Sequence, residues 1–186
     1  MMTERSRLLC SKRTLLLVVD VQQRLAPVID RNDTVMANCA RLIEGCRVLG
    51  VPLLVSEQYP RGLGETVEHL RSLASDDEVA EKITFSCLRD RPLAERMAES
   101  GRDTLLVCGM EAHVCVTQTV LDALDEGYHV QVAADAVGSR CPDNRTVALA
   151  RMAREGATVT TTESALFELL KKAGTVEFKK ISKLVK

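Results

Sequence analysis

The chain is 186 residues long, 46% apolar and 27% charged, with a formal net charge of −1. That is the composition of a folded globular protein with enough chain for a sizeable core, rather than of a disordered chain. The near-neutral charge argues against nucleic acid or an acidic membrane surface as the main partner, and no apolar run approaches the roughly 18 residues that a membrane span needs.

Seven cysteines make an odd set with no C-x-x-C spacing, so neither a disulfide framework nor a zinc site is expected. A reducing compartment follows, with the cytoplasm as the expected location. Arg5, Arg7, Lys12 and Arg13 make the N-terminus basic, but Glu4 interrupts them and no signal-peptide apolar core follows.

In chain order, Thr14–Val19 is an apolar run ending at Asp20, the pattern of a strand buried on both faces. Asn32–Leu49 carries Val35, Cys39, Leu42, Ile43 and Cys46 at helical spacing, and Gly50 and Pro52 stop it. Val51–Val55 reads as a second strand and the polar Ser56–Gly64 segment as a loop. Glu65–Leu73 is expected to be a short helix, and Glu81–Phe85 a short strand. Pro92 opens a helix through Met97. Strands follow at Thr104–Cys108, His129–Ala134 and Thr158–Thr161, and helices after Cys115 and at Pro142–Glu155, Glu163–Lys172 and Val176–Val185. Asp135 is expected to cap the loop after its strand.

Gly50, Gly101, Gly127 and Gly156 each close a helix shortly before an apolar strand, a repeated α-to-β connection. Six strands alternating with helices imply a three-layer α/β/α, doubly wound, Rossmann-like parallel sheet with right-handed crossovers. The expectation is one domain over residues 1–186, with its core at about 14–172 and a short C-terminal helix at 176–185. Ligands of such sheets gather at the carboxyl ends of the strands, where the winding reverses. Asp20 and Cys115 both stand there if their strands are neighbours.

Cys115 opens a helical pattern after a tight turn at Gly109, beside the positive end of a helix dipole. A thiol so placed is expected to ionise more easily than a free one, and exposed N–H groups could cradle an oxyanion. Taken singly, Asp20 could equally cap the turn after its strand, Lys82 protect a sheet edge, and Cys115 fill core space.

Three blocks change those odds together: Leu-Val-Val-Asp-Val-Gln at 17–22, Glu-Lys-Ile-Thr-Phe-Ser at 81–86 and Gly-Met-Glu-Ala-His-Val-Cys-Val at 109–116. In order and spacing, the chain from Thr14 to Leu170 resembles the isochorismatase-like hydrolases, the cysteine hydrolase superfamily. The resemblance implies an Asp–Lys–Cys triad of Asp20, Lys82 and Cys115, and a cis peptide at Met110-Glu111 in an oxyanion loop. It also implies hydrolysis of an amide-like C–N bond of a small molecule through a thioester, with homo-oligomeric assembly and no cofactor.

Two departures narrow this further. Glu57-Gln58-Tyr59-Pro60 stands where the family's metal-dependent nicotinamidases carry an Asp-x-His…His cluster, so no metal site is expected. The cysteine is present, unlike in true isochorismatases, which demotes vinyl-ether hydrolysis. Gln22, Tyr59, Phe85 and His113 are candidate substrate-binding residues, and Cys87 and Cys141 candidate secondary thiols in loops. The rivals are a catalytically silent scaffold of the same fold, a nucleotide-binding domain, disfavoured because Asp20-Val21-Gln22-Gln23 replaces a glycine-rich loop, and a nuclease, supported only by basic ends such as Lys179-Lys180.

Overall fold

A computed structural model describes residues 7–186; Glu4 and Arg5 of the basic N-terminus lie outside the described residues. Its centre is a sheet of β1 (Thr14–Val19), β2 (Leu53–Gln58), β3 (Val79–Lys82), β4 (Thr104–Met110), β5 (His129–Gly138) and β6 (Thr158–Thr160). All pairings are parallel, in the order β3-β2-β1-β4-β5-β6. The helices are α1 (Asn32–Leu49), α2 (Pro60–Leu63), α3 (Glu68–Arg71), α4 (Arg91–Glu99), α5 (Thr117–Asp125), α6 (Pro142–Arg154), α7 (Thr162–Leu170) and α8 (Val176–Leu184). This is the doubly wound, three-layer fold expected from the sequence.

Why the central strands are continuous apolar runs is visible in the packing. Every residue of β1 is buried. Leu16 and Val18 face a core completed by Cys39, Leu42 and Ile43 of α1 and by Leu166 and Leu169 of α7. Leu15, Leu17 and Val19 face a second core completed by Leu93 and Met97 of α4, Val120 of α5 and Met152 of α6. Side chains alternate along a strand, so a strand covered on both faces has no position left for a polar residue that lacks a hydrogen-bond partner. Cys39, Cys46 and Cys108 are small members of the first core.

Three strands run further than their apolar patterns. Ser56, Glu57 and Gln58 continue β2 rather than starting a loop, because their buried side chains find polar partners inside the fold. β4 continues through Gly109 and Met110, and β5 through Gly138. The register of β5 on β4 jumps from Val107↔Val132 to Gly109↔Val137, so β5 bulges around Asp135. Asp135 therefore lies inside the strand, not in a loop after it. Its Oδ1 accepts from the backbone N–H and hydroxyl of Thr162 (2.8 and 3.0 Å), anchoring the start of α7.

The expected helix over Glu65–Leu73 shrinks to α3. Thr66 is diverted into an antiparallel bridge with Gln22, and its N–H and hydroxyl both donate to the Glu57 carboxylate at 2.7 Å. The expected strand at Glu81–Phe85 is shifted: β3 ends at Lys82, and Ile83–Phe85 leave the sheet.

Candidate active site

The winding reverses between β1 and β4, which are hydrogen-bonded neighbours, so the ends of these two strands open the crevice that such sheets offer a ligand. Asp20 follows β1 directly, with a left-handed backbone (φ 52°) that turns its carboxylate back toward the sheet. Gly109 approaches β1 so closely that a Cβ there would lie 2.0 Å from the Val19 carbonyl oxygen, and its φ of 119° is open essentially to glycine alone. The Met110–Glu111 peptide after it is cis. One wide, π-type helical turn, Ala112–Val116, then leads into α5 and carries Cys115.

The Asp20 carboxylate is fully buried and held at both oxygens. Ser56 Oγ donates to Oδ1 at 2.7 Å and Lys82 Nζ donates to Oδ2 at 2.7 Å. Lys82 Nζ also donates to Gln58 Oε1 (2.8 Å) and to the carbonyls of Phe85 (3.1 Å) and Thr84 (3.3 Å). With its side chain wholly shielded from solvent, Lys82 is neither an edge-protecting nor a snorkelling lysine. An ammonium has three N–H donors to share among these four oxygens, whereas a neutral amine would have only two and would turn its lone pair toward an oxygen. Burial pushes the Lys82 pKa down, but the neighbouring Asp20 carboxylate, together with Cys87 and Cys115, outweighs it and the net shift is upward. Burial also raises the Asp20 pKa, against the opposing pull of Lys82 and Ser56. The result is a carboxylate more basic than an ordinary one.

Cys115 stands against this pair and corrects one expectation. Burial, followed by the Asp20 carboxylate beside it, pushes the thiol pKa up, and Lys82 offsets only part of that. Only 6% of the residue is exposed. The helix terminus adds a fraction of a charge, whereas desolvating a thiolate next to a carboxylate opposes ionisation much more strongly. The resting sulfur is a protonated thiol next to a base, not a preformed thiolate.

Cys115 and Asp20 open onto a cavity of about 230 Å³, also lined by Phe85, Glu111, Gln58 and Arg140. Leu25, Leu63 and Val114 complete its apolar wall. Three of the sequence candidates are elsewhere. Gln22 is buried as a stitch: its Nε2 donates to the carbonyls of Gln58 (3.0 Å) and Gly64 (2.6 Å), and its Oε1 accepts from the Gln58 N–H (2.8 Å). Tyr59 is half-exposed with its ring over Gly62. His113 turns toward the end of β5, where Nδ1 shares a 2.9 Å hydrogen bond with Ser139 Oγ. Cys87 is no loop thiol: it is fully buried, burial pushes its pKa up to about 11, and its N–H donates to Thr119 Oγ1. Cys141 is exposed.

Ser56, Gln58 and Arg140 were not picked out from the sequence. The polar run Ser56-Glu57-Gln58, placed directly after an apolar strand, was the available signal for the first two. Arg140 offered none, because it lies two residues past the end of β5, outside any apolar pattern. Among the described residues no group of three His, Cys, Asp or Glu side chains could hold a metal ion, and no helix is long and apolar enough to cross a membrane.

The isochorismatase domain family model matches residues 14–164. The secreted isochorismatase effector of Phytophthora sojae is 40% identical over 190 residues, covering 99% of this chain and 90% of the relative. Among solved structures, the MAR1 ribonuclease of Caenorhabditis elegans superposes with a TM-score of 0.89 at 33% identity, over 95% of this chain and 91% of that one. The YcaC gene product of Escherichia coli, described as an octameric hydrolase of unknown specificity, shares the fold with a TM-score of 0.91 at 21% identity, over 98% of this chain and 92% of that one.

Proposed function

The chain belongs to the isochorismatase domain family, and from that premise we propose that it is a cysteine hydrolase cleaving an amide-like C–N bond of a small molecule through a thioester on Cys115. The observation that carries this reading is the convergence of a buried thiol and a buried carboxylate of raised basicity on one small cavity, with an ammonium outside the cavity lining bonded to that carboxylate. At about 230 Å³ it is smaller than the roughly 300–1,000 Å³ that drug-sized ligands occupy.

Because the resting thiol is protonated, deprotonation accompanies attack. Asp20 takes the proton as the sulfur adds to the carbonyl carbon. The carbonyl electron pair moves onto oxygen, where N–H groups of the loop from Glu111 to Cys115 receive it. As the oxyanion collapses the C–N bond breaks, and Asp20 returns its proton to the departing nitrogen. Water then loses a proton to Asp20 while adding to the thioester; the S–C bond breaks, the acid leaves, and the sulfur regains the proton. Lys82 stays charged throughout and balances Asp20 while it is ionised.

The worm relative's description raises phosphodiester cleavage as a second reading. A cavity of about 230 Å³ suits a small carbonyl compound better than a nucleic-acid strand. We further assign the chain to a reducing compartment, the cytoplasm, on the strength of seven unpaired cysteines. We also assign it a homo-oligomeric state, with a light-scattering mass that is a multiple of 20.4 kDa. The deciding test is an ammonia-release screen of small amides beside Cys115→Ala, with RNA as a parallel substrate. The expected result is amide turnover abolished by the substitution; amide turnover that survives it, or RNA cleavage alone, overturns the proposal.

A further inference from the structure

Arg140 is the one cavity-lining cation whose charge the proposed chemistry leaves unused. Glu111, its partner, is almost shielded from solvent, with 8% of its side chain exposed. The Glu111 carboxylate takes the Arg140 backbone N–H (2.9 Å) and, at both oxygens, the Arg140 Nε–H (3.1 Å each). Both contacts use the inner end of the arginine. Among the described residues no group accepts from its Nη1 or Nη2, so the outer edge of the guanidinium stands uncommitted at a cavity it shares with Cys115. That edge presents parallel N–H donors spaced for the two oxygens of a carboxylate, a match that a lysine cannot reproduce.

Glu111 has a second consequence. Its backbone belongs to the loop before Cys115, and its carboxylate ties the inner end of Arg140 to that loop, while 61% of the arginine side chain stays exposed to solvent. A fork tethered at its inner end loses less freedom on binding than an untethered one. Phe85, Leu25 and Leu63 supply apolar wall between the two polar ends.

We propose that Arg140 is a carboxylate-recognition subsite, with Glu111 as its positioning residue, and that the substrate is a small acid amide carrying a carboxylate besides its scissile C–N bond. The substrate class rests on the hydrolase reading above, whereas the subsite is testable without turnover. Iodoacetate and iodoacetamide are near-isosteric alkylating agents that differ in one carboxylate, and 3-iodopropionate and 3-iodopropionamide extend the reach by one carbon. Each pair is reacted with the protein at pH 9, with free cysteine in the same tube as reference, and Cys115 alkylation is followed by peptide mass spectrometry. For at least one pair, the acid-to-amide rate ratio at Cys115, divided by the ratio for free cysteine, is expected to rise about tenfold, within what a charge-assisted hydrogen bond supplies. Arg140→Ala returns that ratio toward one, 0.5 M salt lowers it, and Arg140→Lys, which keeps the charge but loses the fork, falls between. Ratios at or below one for both pairs, or an unchanged ratio in Arg140→Ala, overturn the subsite. Ammonia release from neutral amides with no preference for their acid analogues overturns the substrate class and leaves the hydrolase reading intact. Acid-selective alkylation without any amide turnover supports the subsite and counts against the hydrolase.

Discussion

At the scale of single residues, the site separates two properties that are often merged, nucleophilicity and exposure. The thiols differ in ways their sequence neighbours do not reveal. The half-buried Cys10 has its pKa lowered, first by the Lys12 backbone N–H and further by the Lys171 ammonium, whose Nζ lies 3.5 Å from its sulfur. Cys115 and Cys87 have theirs raised by burial. Since the thiolate is the reacting species, the order of alkylation follows. At pH 7.5 and without substrate, iodoacetamide is expected to modify Cys10 well before Cys115 and to leave Cys87 untouched, with mass-spectrometric peptide mapping as the readout. Cys115 reacting first would mean that it rests as a thiolate, and that Asp20 takes no proton in the attack. The same logic explains what the sequence could and could not say here. Asp20, Lys82 and Cys115 were legible because each lies in a short block of fixed spacing. The state of the thiol was not, because it depends on Asp20, ninety-five positions away in the chain, and on how much water the folded crevice excludes.

At the scale of elements, apolar periodicity located the strands but lost their functional ends. The apolar pattern of β2 stops at Val55, although Ser56, which holds Asp20, and Gln58, which holds Lys82, continue the strand. Strand patterns are recognised by what they bury against other apolar groups, and a strand that delivers polar side chains to a buried site breaks the pattern at the place where function begins. The helix expected at Glu65–Leu73 failed for a related reason, since Glu57 and Gln22 capture Thr66 before a helix can use it. Gly109 shows the opposite case, a local residue choice with long-range effect. It permits β4 to close on β1 at the level of Val19, one residue before Asp20, and so sets the spacing between the loops that carry the acid–base pair and the sulfur. A methyl group at 2.0 Å from a backbone oxygen cannot be absorbed by a side-chain rotation. Gly109→Ala is therefore expected to cost about 3 kcal/mol or more, from overpacking and a forbidden φ together. Urea denaturation reads this directly, with Gly127→Ala as the comparison, because its Cβ meets nothing within 4 Å and only its φ of 85° is strained. Equal losses in the two variants would mean that the close approach to Val19 is not what requires a glycine.

At the scale of the whole molecule, stability and chemistry pull on Asp20 in opposite directions, and pH can separate them. The surface acids behave in the ordinary way. Arg13 bonds to Asp103 and Arg89 to Asp122, each at 2.8 Å, and both carboxyl pKa values are lowered by those arginines. Folding is helped by these pairs above the unfolded carboxylate pKa of 3.8, and the help disappears as pH falls below it through the lower folded values. Both pairs are partly exposed, so each contributes modestly. Asp20 has the reverse sign. Burial raises its folded pKa above 3.8, so the native state binds a proton before the unfolded chain does. Native stability therefore gains from Asp20 protonation as pH falls from the raised value to 3.8, and the gain is complete below that. Asp20→Asn removes this titration: its single amide oxygen still accepts from Lys82, and its NH2 takes the place of the oxygen that accepted from Ser56, a loss that is the same at every pH. Denaturant midpoints for the two proteins at pH 7, 5 and 4 should therefore diverge: on acidification the wild type gains stability relative to Asp20→Asn, and below 3.8 the two curves fall in parallel as Asp103 and Asp122 lose their partners. Parallel curves over the whole range would place the folded pKa of Asp20 at its ordinary value. The ammonium of Lys82 would then fully offset burial, and the carboxylate would lack the added basicity that proton transfer from a buried, reluctant thiol requires.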